Sequence, residues 1–152
     1  FTPKQLNQVL SNLMGRRIRV GYKFPQSGFG YTQPGAGTAN SNVGRVHLDR
    51  KLFDLVLGQR PAKGLPFALG SLMHELGHNS PDAVNYKPII NATGGIDAGP
   101  NRKAQEDIAD AWGFGNAQRV ALALGYSPSQ ARAARQAFMK FRAKHPYNDD
   151  GT

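Results

Sequence analysis

The stretch SLMHELGHNS, residues 71–80, constrains the fold more than any other part of the chain. Pro66 opens a helix, and Leu69, Leu72, Met73 and Leu76 follow at helical spacing as an apolar stripe that seeks burial. Gly77 with Pro81 stops it. The same helix carries His74, Glu75 and His78, whose burial is tolerated only with partners. Positions i and i+4 share a helix face, so His74 and His78 can aim two imidazole nitrogens at a common point. Either they are core histidines satisfied by carbonyls, or they are two metal ligands with Glu75 beside them as a general base.

The second reading needs a third ligand and an open position for water. The chain has no cysteine, so that ligand must be a histidine or a carboxylate. In one extension of the motif it lies six residues past the second histidine, after a glycine at the third. Those positions are Val84 and Pro81, so that extension fails. Asp82 would have to return tightly across Pro81. A later segment, AQEDIADAWG (104–113), fits better. Only two glutamates occur in the chain, Glu75 and Glu106, and the second stands here, four residues before Asp110 on one helix face. Glu106 can reach the metal while Asp110 accepts the far N–H of a ligand histidine, which fixes the tautomer and raises ligand basicity. Asp107 or Asp110 is the alternative ligand, and a helix with acidic surface residues is the bland alternative. Ile108, Ala109 and Trp112 point to an adjacent, core-packing face.

The remaining signals place these two helices in an α+β chain. Thr2-Pro3 reads as a helix start, Leu6, Val9, Leu10 and Leu13 continue it, and Gly15 ends it. Residues 16–24 and 44–50 alternate and read as strands. Between them, 25–44 is rich in Gly, Pro, Ser, Asn and Thr and reads as a long loop that frames a cleft. A helix is expected over about 50–58, a loop over 79–101, a helix from about Asn101 to Leu124, and a last helix from SPSQ to about Lys144. With 152 residues and no dividing linker, one domain (1–152) is expected, mainly helical with a small sheet.

A net charge of +9 favours polyanions, and basic residues gather at Arg16, Arg17 and Arg19 and along 132–144. No nucleic-acid-binding fingerprint accompanies them. No run of 18 apolar residues is present, so no membrane span is expected. FTPKQLNQ lacks the basic start and apolar core of a signal peptide.

HELGH followed by EDIAD resembles the gluzincin zinc metallopeptidases, and more narrowly the ExxAD form of the prenyl-protein and heat-shock membrane proteases and their soluble, minimal relatives, the minigluzincins. The likeness spans about residues 39–146. VGRVHLDRKLF…LPFALGSLMHELGH is similar to that group's edge strand, helix and active-site helix, and ALALGYSPSQARAARQAF to its turn and following helix. HPYNDDG, 145–151, is similar to its late His-Pro motif. The resemblance implies a zincin-like fold with the active-site helix packed beside the edge strand of its small sheet, Zn2+ on His74, His78 and Glu106, and hydrolysis of a peptide or protein substrate with Glu75 as general base. It also implies that His145 stabilises the oxyanion. Tyr86, in the loop after the active helix, is a second candidate, and the plain alternative for His145 is a histidine complementing a helix C-terminus. Where the group carries an arginine six residues after the histidine, this chain has Gly151. The strand at 44–48 would take an extended substrate by strand addition. Two other readings stand beside this one. One is a catalytically weak or inactive zincin-fold binding or structural module in a larger assembly. The other is a regulatory protease tethered to nucleic acid or another polyanion by its basic surface.

Overall fold

The structure, a computed structural model, describes residues 1–23, 30–33, 43–58 and 63–152. In chain order its elements are α1 (Pro3–Met14), β1 (Arg17–Lys23), β2 (Gly30–Gln33), β3 (Val43–Asp49), α2 (Arg50–Gly58), α3 (Leu65–Gly77), α4 (Pro81–Val84), α5 (Ala98–Ala123) and α6 (Pro128–Lys144). The architecture is mixed, with helices dominant and a small sheet.

Local chemistry sets the ends of α1 and α6. Thr2 accepts from the Gln5 N–H while the Gln5 side chain accepts from the Thr2 N–H, a reciprocal cap completed by Pro3 in the first turn. Ser127, Gln130 and Pro128 repeat it for α6.

The sheet order is β1-β3-β2. β1 runs parallel to β3, with Arg17 opposite Val43 and Lys23 opposite Asp49. β2 runs antiparallel on the other side, with Gly30 opposite Leu48 and Gln33 opposite Arg45. β3 is therefore the central described strand and not the edge strand expected from the sequence. Its two edges are taken, so an extended peptide has no edge to join there. The alternation over 44–48 is real: Gly44, Val46 and Leu48 are buried, while Arg45 is exposed. Alternation tells which face is buried but not which strands lie on either side.

α3 is the core element. Leu65, Leu69, Leu72, Met73 and Leu76 are buried, with α5 and α6 against one side and α2, β2 and β3 also in contact. Its junction with β3 is close: a Cβ on Gly44 would lie 2.2 Å from Oδ1 of Asn79, a buried side chain just past the helix end. Leu6 and Leu10 of α1, Ile18 and Val20 of β1, and Phe53 and Val56 of α2 join the same core.

Two expected loops are more structured than their composition suggested. The 25–44 stretch contains β2; the rest of it, and with it the framing of a cleft, lies outside the described residues. The 79–101 stretch contains α4, whose N-cap Ser80 accepts from the Ala83 N–H, and an antiparallel bridge between Ile90 and Ile96. α5 begins at Ala98, three residues before the expected start, because Pro100 sits in a first turn that needs no backbone donor. No helix among the described residues is long and apolar enough to cross a membrane.

Candidate metal centre

α3 and α5 cross with almost no side chain between them at Gly77 and Ala109, both buried. Three residues before and one residue after this contact, the polar residues of the two helices meet. His74 Nε2 and His78 Nε2 lie 3.3 Å apart, as the i, i+4 spacing requires. The Glu106 carboxylate faces both, with Oε2 at 2.9 Å from His74 Nε2 and Oε1 at 3.3 Å from His78 Nε2. One ligand atom from each of the three residues lies within 4.8 Å of the others, a group that could hold a metal ion.

Asp110 stands one turn beyond Glu106, and its Oδ1 lies 2.8 Å from His74 Nδ1. That contact assigns the Nδ1 proton of His74 to Asp110 and turns Nε2 toward Glu106. Glu75 is buried, with Oε1 at 3.9 Å from His74 Nε2. The five residues singled out on HELGH and EDIAD are thus brought together.

Burial alone would lower the pKa of His74. Its hydrogen bonds to Asp110 and Glu106, with the charges of Glu75 and Glu106, outweigh burial and raise it to about 9. For Glu106 the balance is reversed. Burial would raise its pKa, but the His74 and His78 contacts hold it well below the usual carboxylate range. Without a metal the cluster therefore favours the His74 imidazolium facing the Glu106 carboxylate.

His145 and Tyr86 do not join the site. His145 is exposed at the end of α6, with its ring centroid 4.7 Å from that of Phe141. The Tyr86 hydroxyl donates to Oδ1 of Asn101 at the start of α5. The residue that enters is Tyr147, two past His145. Its hydroxyl donates to Glu106 Oε2 at 2.9 Å and lies 3.5 Å from His74 Nε2. Burial, followed by the charges of Glu106 and Asp110, pushes its pKa well above the usual phenol range, so the hydroxyl keeps its proton and acts as a donor.

The backbone explains the two-residue offset. After α6 the chain turns back onto the start of α5, where Gly151 is buried in the left-handed region at φ +80. A Cβ there would lie 2.8 Å from the Lys103 backbone nitrogen. Arg102 donates to the Asp150 carbonyl at 3.2 Å. The same return brings Tyr147 under Arg142, whose guanidinium carbon lies 3.9 Å from the ring centroid. Arg142 Nε also approaches Asp110 Oδ2 at 2.8 Å, as an ion pair off the hydrogen-bond direction. Sequence reasoning missed both residues. Their signals were present: Tyr147 lies inside HPYNDDG, and Arg142 lies in the basic run along 132–144.

That basic run is not a uniform charged face. Arg142 turns to Asp110, and Arg135 donates through Nε to the Phe114 carbonyl at 3.0 Å. Arg132, Lys140 and Lys144 remain exposed. Comparison with protein-family models, with curated proteins and with solved structures gives no match to this chain.

Proposed function

We propose that the chain is a zinc-dependent metallopeptidase of gluzincin type with a zincin-like fold. The observation that carries this reading is the spacing of the three ligand atoms. Zinc bonds of about 2.0–2.1 Å set the edges of a tetrahedron at about 3.3 Å. The two imidazole Nε2 atoms are one such edge, 3.3 Å apart. The Glu106 carboxylate faces both, through Oε2 at 2.9 Å from His74 and Oε1 at 3.3 Å from His78, and one ligand atom from each of the three residues lies within 4.8 Å of the others. Two imidazoles and one carboxylate match the donor set of a catalytic zinc site, which keeps one position open. His74, His78 and Glu106 would hold the ion. Bound there, zinc would supply Lewis-acid chemistry, acidifying a water and polarising the scissile carbonyl.

The protein's own residues do the rest. Glu75 is buried beside the triad, where its carboxylate takes a proton from the attacking water and returns it to the leaving amine. Asp110 keeps His74 in the tautomer that offers Nε2. The protonated Tyr147 hydroxyl is the donor for the developing oxyanion, the role that sequence reasoning gave to His145 or Tyr86. Among the described residues no strand pairs with the outer edge of β2, and an extended substrate would add there, since β3 is paired on both sides.

The test is zinc content together with cleavage of a denatured protein, for the parent chain and Glu75→Gln. The parent is expected to bind zinc and cut, and the variant to keep the zinc and lose cleavage. A variant that cuts as fast as the parent would sink the assignment of Glu75. A parent that binds zinc and cuts nothing would favour the binding-module reading.

A further inference from the structure

We infer that Arg142 is a positioning residue for this centre, one that sets the orientation of His74 and the place of the Tyr147 hydroxyl through a single guanidinium. The inference rests on the peptidase reading but is carried by separate contacts. Arg142 comes from the last turn of α6 and its side chain is mostly buried. Its Nε lies 2.8 Å from Asp110 Oδ2, and the other Asp110 oxygen holds His74 Nδ1 at 2.8 Å. Its guanidinium covers the Tyr147 ring at 3.9 Å, and the hydroxyl of that ring reaches Glu106. Its NH1 donates to the His145 carbonyl at 3.1 Å, fixing the turn that leads into Tyr147.

The two tasks require different properties of one side chain. Charge alone serves Asp110, because a buried carboxylate that has given one oxygen to a histidine needs a cation for the other. Planarity serves Tyr147, because a flat guanidinium can lie over a ring and donate at its edge, whereas a lysine ammonium is a compact point charge on a flexible stem. Lysine at 142 should therefore separate the two tasks, keeping the first and losing the second. Without its cover, the Tyr147 ring can leave the site while His74 stays oriented.

The test uses the full chain with Arg142→Lys, Arg142→Met, Tyr147→Phe and the double variant Arg142→Lys/Tyr147→Phe. Zinc affinity is read by chelator competition, and kcat and KM are read on a peptide that the parent cuts. Tyr147→Phe is expected to lower kcat about 100-fold, the usual loss for one oxyanion donor, with zinc affinity little changed. Arg142→Lys is expected to keep zinc affinity while kcat falls about tenfold, the range of a desolvated guanidinium–ring contact, with KM held. The double variant is expected to be no slower than Tyr147→Phe, because Arg142 acts through the tyrosine. Arg142→Met is expected also to weaken zinc about tenfold, the lower end for disturbing the partner of a ligand histidine. If it does not fold, Arg142→Lys decides. Parental kcat in Arg142→Lys, or losses that multiply in the double variant, would overturn the inference. If the parent binds zinc but cuts nothing, only the peptidase reading fails. The visible spectrum of the cobalt(II)-loaded protein then decides, expected to shift alike in Arg142→Lys, Tyr147→Phe and the double variant. An unshifted Arg142→Lys spectrum overturns the inference, and a parent that takes no metal overturns both.

Discussion

Gly77 meets the backbone of Ala109 so closely that a Cβ on the glycine would lie 2.2 Å from the Ala109 carbonyl oxygen. The glycine falls between the two histidines, and the alanine falls between Glu106 and Asp110. The spacing of the His74, His78 and Glu106 side chains, the group that could hold a metal ion, is therefore tied to a backbone contact.

Gly77→Ala tests that contact. Two effects oppose each other. Gly77 is the last residue of α3, so the preference for alanine there falls short of the about 1 kcal/mol of a helix interior, whereas the added methyl meets a carbonyl that no rotamer change can move, and overpacking of this kind costs about 1–3 kcal/mol. The clash wins. The melting temperature is expected to fall, and zinc affinity to drop at least tenfold as Glu106 recedes from His74 and His78. Calorimetry and chelator competition read the two effects. A variant as stable and as tight as the parent would mean that α5 moves freely over α3.

Asp110→Asn keeps the shape of the side chain and removes its charge. Nδ1 of His74 then loses its anionic acceptor, and Arg142 loses its counter-ion. Removing such a partner of a ligand histidine lowers metal affinity about 10–100-fold. The same competition assay is expected to show that drop. Asp107, exposed and paired with Lys103 at 2.6 Å, serves as the control, and its change to Asn is expected to leave affinity untouched.

These contacts also show what the chain reveals before it folds. Capping at Thr2 and Ser127 is local, so it is legible. The face shared by His74 and His78 is legible from helix geometry, and Glu106 with Asp110 is legible because the same spacing rule serves a second helix. Tyr147 and Arg142 are not legible in this way. They meet only because Gly151 turns the chain back onto α5, and no periodicity reports a return across that distance. β2 was hidden for a related reason: its pairing to β3 is non-local, and GYTQ lacks an alternating apolar pattern.

Protein stripped of metal by a chelator should carry the pKa shifts of the cluster into its stability. His74 is raised from its ordinary 6.5 to about 9, so its contribution is fully present below pH 6.5 and is lost as pH rises through 9. Glu106 is lowered from its ordinary 4.5, so its contribution is present above that pH and is lost as pH falls below it. The melting temperature is expected to peak between pH 4.5 and 6.5. Zinc must displace the His74 proton, so its apparent affinity is expected to rise about tenfold per pH unit toward pH 9 and then level. A flat affinity between pH 7 and 9 would show that His74 is already neutral there.

Gly151→Val places a β-branched residue at φ +80, against the Arg102 side chain and the Lys103 backbone. Left-handed backbone costs a side-chain-bearing residue roughly 1–2 kcal/mol, and the clash adds to it. The cheaper outcome is release of the C-terminal turn, because the core of α3, α5 and α6 does not depend on it. Global stability is then expected to change little. Tyr147 leaves Glu106, while His74, His78 and Glu106 stay in place on α3 and α5. Zinc affinity should hold, and cleavage should fall as far as in Tyr147→Phe. Limited proteolysis would show new cuts after residue 145. If zinc affinity fell with activity, the turn would be supporting the ligands themselves and not only the tyrosine it carries.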